Sequence, residues 1–488
     1  MFDLQFSDAF LLEFLKSNSE LSDMSRSDLI NNFLITTPAL LILQIFFLSL
    51  LFYFYKYHTL SFNSVLTKVS CKEFNFFESW KLGKSKIVKL SKFEKFMTVF
   101  WLLGPFVYLI ERDPADLWLS SIGLTFLIKC CKDKNWSWVT QSWFKYAFVF
   151  WLICIISSLN SPYIQYSLKE AFLWIRFPLY AAAAQFWIGK DKDIRIIMFL
   201  SILIGSLYMC FILFFEVWMF PKPRLMLPYG DYIPGSYLTR IALPLILVFT
   251  FIIINSKRHI AFYTLYIFTI ILAVIFTGER TNLLLILCSI NLLLFLSFKN
   301  FKRIIFFLLL EIIFVSFFLV NRIDNNKRTD LNFYNHIPIL NQNDKNPYWG
   351  VWRSGIQQIL EKPILGIGPG ATRKNCKKLS PHEPKWLPGK NHCNNHPHNF
   401  YIQIFAETGI FGFVSGCIMF FMICFSCYRS KKQNLICSMS ASTYLIPISF
   451  FFPLQQFGNF FGQWGNLFIW FGLGLALACR SKNNIKNH

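Results

Sequence analysis

His398 is the residue of this chain best placed to move a proton. It opens the run His398-Asn399-Phe400-Tyr401, which leads to Gly409 and Gly412, where a long polar loop gives way to an apolar helix. Imidazole exchanges a proton near neutral pH, as a general acid or base must. A lone histidine is also often structural, and spacing alone leaves both roles open. Gly409 and Gly412 are three residues apart, so they share a helix face and let that helix pack closely. His382, His392, His396 and His398, with Cys393, have the residue types of a zinc site. They crowd one short coil without a paired Cys-x-x-Cys, so no metal and no other cofactor is expected. Cys376 and Cys393 are the only cysteines of this loop. An even count in an oxidising compartment suggests a disulfide, with two unpaired thiols as the alternative.

Three arginines stand close to the ends of apolar runs: Arg176, Arg240 and Arg280. An ionisable residue in a membrane span is expensive and is a functional candidate by default. For each, the bland alternative is snorkelling to the interface or an internal ion pair, such as Glu279 with Arg280. Three at similar depth on one side make a cluster, and the guanidinium fork suits phosphate oxygens. A pyrophosphate-linked lipid would present its charge at that depth. The loop adds Arg322, Arg328, Arg353 and Arg373. The first two read as solvated surface, whereas Arg353 falls on an amphipathic helix and allows either reading. The segment from Pro363 to Gly370 is glycine-rich but lacks the Lys-Ser/Thr of a P-loop, so it reads as a tight irregular turn.

The elements that must position these residues are membrane helices. Hydrophobic residues make up 55% of the chain and charged ones 15%, and the mean hydropathy is +0.44. Apolar runs reach the roughly 17–25 residues that span a bilayer. They are continuous rather than alternating, which selects helices over a barrel. The fold class expected is an all-α polytopic membrane protein. It has about twelve transmembrane helices, one additional N-terminal apolar helix and a long, partly helical periplasmic loop. The net charge of +22 sits mostly in connectors between apolar runs, as the positive-inside rule requires, which argues against nucleic acid as partner.

In chain order, 1–94 is an extension with one apolar helix near 33–55 and a basic cytoplasmic segment. Residues 95–320 hold nine spans, at roughly 96–110, 116–131, 142–159, 170–188, 194–218, 236–255, 260–277, 281–298 and 302–320. Residues 321–406 form the outer loop, and 407–488 hold spans near 407–427, 436–453 and 464–479 before a cytoplasmic tail. Within the loop, Trp349, Trp352, Ile356 and Leu360 recur at helical spacing, and Pro363 stops the helix. In a bacterium the face bearing this loop is the periplasm.

Four stretches resemble the O-antigen ligase family. His398-Asn399, nine residues, Gly409, two residues, Gly412 resembles its H-[NSQ]-x9-G-x-x-G pattern. Pro363 to Gly370 resembles the P-x-x-G-x-G-x-G run of the wider ligase and polymerase superfamily. Thr277-Gly278-Glu279-Arg280 looks like its T-G-S/E-R element, and Trp174 to Leu179 like its arginine-bearing fourth span. The resemblance covers about 95–480; the first roughly 90 residues depart from it. It implies a GT-C-type glycosyltransferase of the inner membrane, metal-independent and inverting, with its active site facing the periplasm. The donor would be a glycan on undecaprenyl diphosphate, and the acceptor a sugar hydroxyl of lipid A–core. His398 would be the general base or, alternatively, would stabilise the leaving diphosphate. Arg280, Arg176 and, less distinctively, Arg240 would bind the diphosphate. Asn399, Gly409, Gly412 and Arg353 would support them. The rival within the superfamily is an O-antigen polymerase or another lipid-linked oligosaccharide transferase. Outside it, the rival is a membrane transporter, which would show charges near mid-bilayer and paired broken spans.

Overall fold

A computed structural model describes residues 85–479 except 190, 221–223, 232, 256–258, 298–346, 380–390, 434–441 and 453–457. The side chains of 192, 255, 280, 295–297, 347 and 428–433 also lie outside the description. The expected N-terminal apolar helix and the run near 302–320 therefore fall outside the described residues. So do His382, Arg322 and Arg328. The chain divides into two compact units, Met1–Thr67 with Phe215–Lys222, and Lys68–Phe214 with Pro223–His488. Of the first unit only the end of one helix is described. All that follows concerns the second.

Every regular element among the described residues is helical. In order these are α1 (Lys92–Leu102), α2 (Gly104–Ile110), α3 (Arg112–Asp133), α4 (Ser142–Leu159), α5 (Ile164–Trp174), α6 (Arg176–Trp187), α7 (Lys192–Met219), α8 (Pro234–Ile241), α9 (Leu243–Asn255), α10 (Ile260–Thr277) and α11 (Arg280–Ser297). After the outer loop begins come α12 (Pro347–Glu361), α13 (Thr372–Asn375), a 3-10 turn (Cys376–Lys378), α14 (Phe400–Gln433), α15 (Leu445–Phe450) and α16 (Gln463–Ala478). Among the described residues four helices are long and apolar enough to cross a membrane, or up to six if each of two bent pairs is one span. Leu117, Phe211 and Phe421 are 60–70% exposed, as side chains that face lipid are.

Among the described residues three of the expected runs are broken, and each break falls at a proline. A proline inside a helix lacks the N–H for the carbonyl four residues back and its ring crowds that carbonyl. Pro105 follows Trp101 by four, and α1 bends from α2 by 50°. Pro244 follows Arg240 by four, and α8 bends from α9 by 48°. Pro178 follows Trp174 by four, and the run near 170–188 is divided into α5 and α6 at that residue. The segment near 464–479 forms α16, 16 residues long. The segment near 436–453 is only partly described, its helical part being α15.

The most extensive helix pairings are α4 with α14 and α6 with α16, followed by α3 with α6. Small residues explain the second: Ala181, Ala182, Ala183 and Ala184 are all buried, and a Cβ on Gly474 would lie 3.1 Å from that of Ala184. Backbones approach closely where side chains are small, which is how helices associate without a hydrophobic drive in lipid. Around them an aromatic core fills the gaps, with Trp101, Trp118 and Tyr180 rings 5.0–6.0 Å apart. The amphipathic stripe of the outer loop forms α12, which ends before Pro363. Trp349 and Trp352 are buried and pack with Ile356 and Ile402, whereas Leu360 is 46% exposed.

Candidate active site

Two glycine-bearing stretches interlock at the start of α14. The peptide N–H groups of Ile367 and Gly368 donate to the Ala406 and Glu407 carbonyls at 3.0 and 2.8 Å, and Ile410 N–H donates to the Pro363 carbonyl at 2.8 Å. Gly366 adopts φ 70°, and a Cβ there would sit 2.5 Å from the Glu407 carbonyl oxygen. Gly409 adopts φ 63° and kinks α14, and a Cβ there would collide with the Ile364 carbonyl. Positive φ and backbone contact both exclude a side chain. Ser157 Oγ donates to the carbonyls of Leu365 and Glu407 at 2.5 and 2.8 Å, which ties the joint to α4.

Glu407 is the polar centre of this joint and is fully buried. Its carboxylate accepts from Gly370 N–H at 2.6 Å, Thr372 N–H at 3.2 Å and Gln403 Nε2 at 3.2 Å. Gln403 continues outward: Nε2 donates to Asn459 Oδ1 at 2.5 Å, and Oε1 accepts from Phe460 N–H at 2.8 Å. Sequence reasoning missed both residues. The available signal was an acid one helical turn after a glutamine within an apolar helix, which needs internal partners to be tolerated.

Just ahead of this joint, Asn399 caps α14. Its Oδ1 accepts from the N–H of Tyr401 at 3.0 Å and of Ile402 at 3.2 Å, satisfying two donors that a helix start leaves orphaned. The cap fixes His398, held at φ 55°, in the left-handed region that few non-glycine residues adopt. The loop before it is docked on α12. His392 N–H donates to the Gly350 carbonyl at 3.0 Å, Ser354 Oγ to the His392 carbonyl at 3.2 Å, and Arg353 Nη1 to Asn391 Oδ1 at 2.6 Å. Arg353 is 1% exposed, so it anchors this loop from beneath. The Cys376 and Cys393 sulfurs are joined, with Cα atoms 5.3 Å apart, which links the loop to the 3-10 turn.

These contacts border an open cavity of about 540 Å³ lined by Tyr348, Val351, Asn391, His392, Cys393, Asn394 and His398. That size suits a small ligand or one sugar of a longer chain. Asn394 Oδ1 accepts from Asn395 N–H at 2.6 Å, so its Nδ2 is the atom 3.0 Å from His398 Nε2. An amide donor there requires the Nε2 lone pair, which places the imidazole proton on Nδ1. Burial lowers the His398 pKa from 6.5 by disfavouring the charged ring. The result is an imidazole that favours its neutral form and lines the cavity, its basic nitrogen met by the Asn394 amide. Among the described residues no group of three or more His, Cys, Asp or Glu side chains could hold a metal.

The arginines are placed differently. Arg176 begins α6 and grips Asp116 of α3 with Nε at 2.8 Å and Nη2 at 3.2 Å, while Nη1 donates to the Leu173 carbonyl at 2.7 Å. Gln463 Nε2 donates to the same carboxylate at 2.9 Å. Arg240 is buried on α8 and donates from Nη1 to Asn282 Oδ1 at 3.0 Å. Glu279 accepts from Gly235 N–H at 2.6 Å and from Asn282 Nδ2, so the Thr277–Arg280 element is knotted to the start of α8. Burial pushes the Glu279 carboxyl up to about 7, against the opposing pull of Gly235 N–H and the Arg240 and Arg224 charges. Arg280 is the first residue of α11; its side chain lies outside the described residues. Gly412 lies one turn beyond Thr408, whose side chain a Cβ there would strike.

The fold is thus that of a multi-pass helical membrane protein with a histidine-bearing cavity beside a glycine-locked helix start. Residues 265–417, which contain the Thr277–Arg280 element, the glycine turn and His398, match the family model described as O-antigen ligase. No curated protein matches the chain significantly. The family implies glycosyl transfer of the ligase or polymerase type, with lipid-linked glycans as substrates.

Proposed function

We propose that the protein is an O-antigen ligase of the bacterial inner membrane. It moves a glycan from undecaprenyl diphosphate to a sugar hydroxyl of lipid A–core at the periplasmic face. The acceptor hydroxyl enters the His398 cavity and gives its proton to Nε2 as its oxygen attacks the anomeric carbon. The bond from that carbon to the diphosphate breaks in the same step, with inversion. The diphosphate is already a good leaving group, so no covalent intermediate is needed. Charge developing on it is met by Arg280, Arg176 and Arg240, because preorganised cations stabilise a transition state that concentrates negative charge. Asn399 and Arg353 hold the histidine loop, Gly409 and Gly412 the helix behind it, and the Cys376–Cys393 bridge the cavity wall.

The observation that carries this reading is His398 in the wall of a cavity of about 540 Å³ at the edge of an apolar helix, its Nε2 lone pair met by a neutral amide. General-base assistance of this kind contributes roughly 10²–10⁴ in rate. The test is a deletion strain complemented with wild type or His398→Ala. Lipopolysaccharide and carrier-linked glycan are analysed in each. The expected result is bare core with polymerised glycan retained on the carrier, in the deletion and in His398→Ala alike, with normal insertion of the variant. Single repeat units on core would identify a polymerase instead. Full glycan on core in His398→Ala would remove the histidine from the chemistry.

A further inference from the structure

The turn after Gly370 carries charge that the transfer reaction does not use. Arg373, Lys374, Lys377 and Lys378 lie on α13 and the 3-10 turn, and all four are exposed. Three are seated on rings at the start of α5. Lys374 Nζ lies 4.0 Å from the Tyr166 ring centroid, the Arg373 guanidinium carbon 5.8 Å from the same ring, and Lys378 Nζ 5.2 Å from that of Tyr163. The Tyr163 hydroxyl donates to the Lys374 carbonyl at 3.3 Å, fixing the ledge to its support. A ring face attracts a cation without cancelling its charge. The heads are therefore ordered while their charge stays open to solvent.

Acid is scarce around this ledge. Glu170 of α5 acts on Arg373, and it also feels Arg176 and Lys169. Among the described residues none of the four basic side chains forms a salt bridge. The ledge is also rigidly tied to the cavity. Gly370 and Thr372 N–H bind Glu407, and Cys376 is joined to Cys393, which lines the cavity beside His398. Lys374 touches both rings, with Arg373 on the Tyr166 side and Lys378 on the Tyr163 side, and a guanidinium fork with two ammonium groups matches the several oxygens of a phosphate ester better than a single carboxylate.

We propose that Arg373, Lys374 and Lys378 form an anion subsite that holds a phosphate ester at a fixed remove from the His398 cavity. The ester belongs to a phosphorylated saccharide acceptor or to a phospholipid headgroup at the bilayer surface. The first source rests on the function proposed above; the second does not.

The test uses the full chain in nanodiscs at 0.15 M salt, as wild type, as Arg373→Gln/Lys374→Gln/Lys378→Gln, and as His398→Ala. Two probes are titrated: a lipid A–core glycolipid with its phosphates intact, and the same glycolipid dephosphorylated. Phosphatidylglycerol retention in mixed nanodiscs is measured in parallel by mass spectrometry. If the acceptor supplies the ester, the triple variant binds the phosphorylated probe on the order of tenfold more weakly, and the dephosphorylated probe as wild type does. His398→Ala binds both normally. If the headgroup supplies it, the triple variant loses phosphatidylglycerol while acceptor binding is unchanged. Unchanged binding of both ligands in the triple variant overturns the subsite. Wild type that retains phosphatidylglycerol through these cations but binds no acceptor overturns the proposed function and leaves the subsite standing. The three side chains are exposed, so their replacement spares the fold.

Discussion

His398 and Arg176 both stand at the start of apolar helices, and the fold treats them in opposite ways. Around His398 the polar groups bind one another. Asn399 caps the helix, Glu407 gathers three donors, Arg353 holds Asn391, and the imidazole packs on the His396 ring with one amide at its Nε2 and the cavity beside it. Around Arg176 the fork is already occupied, because Asp116 takes two of its N–H groups where a phosphate would bind. A guanidinium removed from water must be compensated, and a carboxylate on the adjacent helix does so. The difference teaches that residue type nominates a site, while the partners already present decide how a substrate can use it. At Arg176 a diphosphate must share the fork with Asp116 or displace it. At His398 a hydroxyl must displace the Asn394 amide, a neutral partner, from Nε2.

Substitutions can break or sharpen that contrast. The largest effect is expected at Glu407. Glu407→Ala leaves three buried donors without an acceptor and a void between the glycine turn and α14, at a cost of about 3–5 kcal/mol in thermal unfolding. Glu407→Gln should cost less, since one acceptor oxygen remains. Equal stability of Ala and wild type would mean that the interlock does not hold the site. Next comes the Arg176–Asp116 pair. Arg176→Lys loses the bidentate fork and should slow transfer about tenfold, while Asp116→Asn should change the donor KM. Matching losses of Tm in both variants with unchanged KM would make the pair a strut. Asn399→Ala removes a helix cap and should lower stability by about 1 kcal/mol. The smallest effect is a pH dependence at Glu279. A carboxyl pushed up to about 7 keeps its proton longer folded than unfolded. Its contribution is therefore full below the unfolded value near 4.5 and declines as pH rises toward 7. Glu279→Gln should flatten that decline in a Tm-against-pH series.

Much of this was legible in the residues. Continuous apolar runs and basic connectors announced membrane helices. Trp349, Trp352 and Ile356 with Pro363 marked α12. Hydropathy does not show where an apolar run breaks, because it ignores backbone donors. Pro105, Pro178 and Pro244 each sit in an apolar run, and each removes the bond that would carry the helix through. The break before Arg176 is completed by the side chain itself, which satisfies the Leu173 carbonyl. The role of Glu407 was not legible, because its partners Gly370 and Thr372 lie 37 and 35 residues away and meet it only in the folded chain. Likewise nothing in the sequence distinguishes Arg373 until the fold brings the Tyr166 ring beside it.

The central claim is that a neutral His398 takes the acceptor proton, and a pH–rate profile tests it most directly. Transfer is measured in proteoliposomes from a lipid-linked donor to lipid A–core, for wild type and His398→Ala. Because burial lowers the His398 pKa, the wild-type rate should hold as pH falls to 6.5 and decline only below it. His398→Ala should be at least about 10²-fold slower, with no such acid limb. A variant that keeps the wild-type rate, or keeps the same acid limb, would contradict the account.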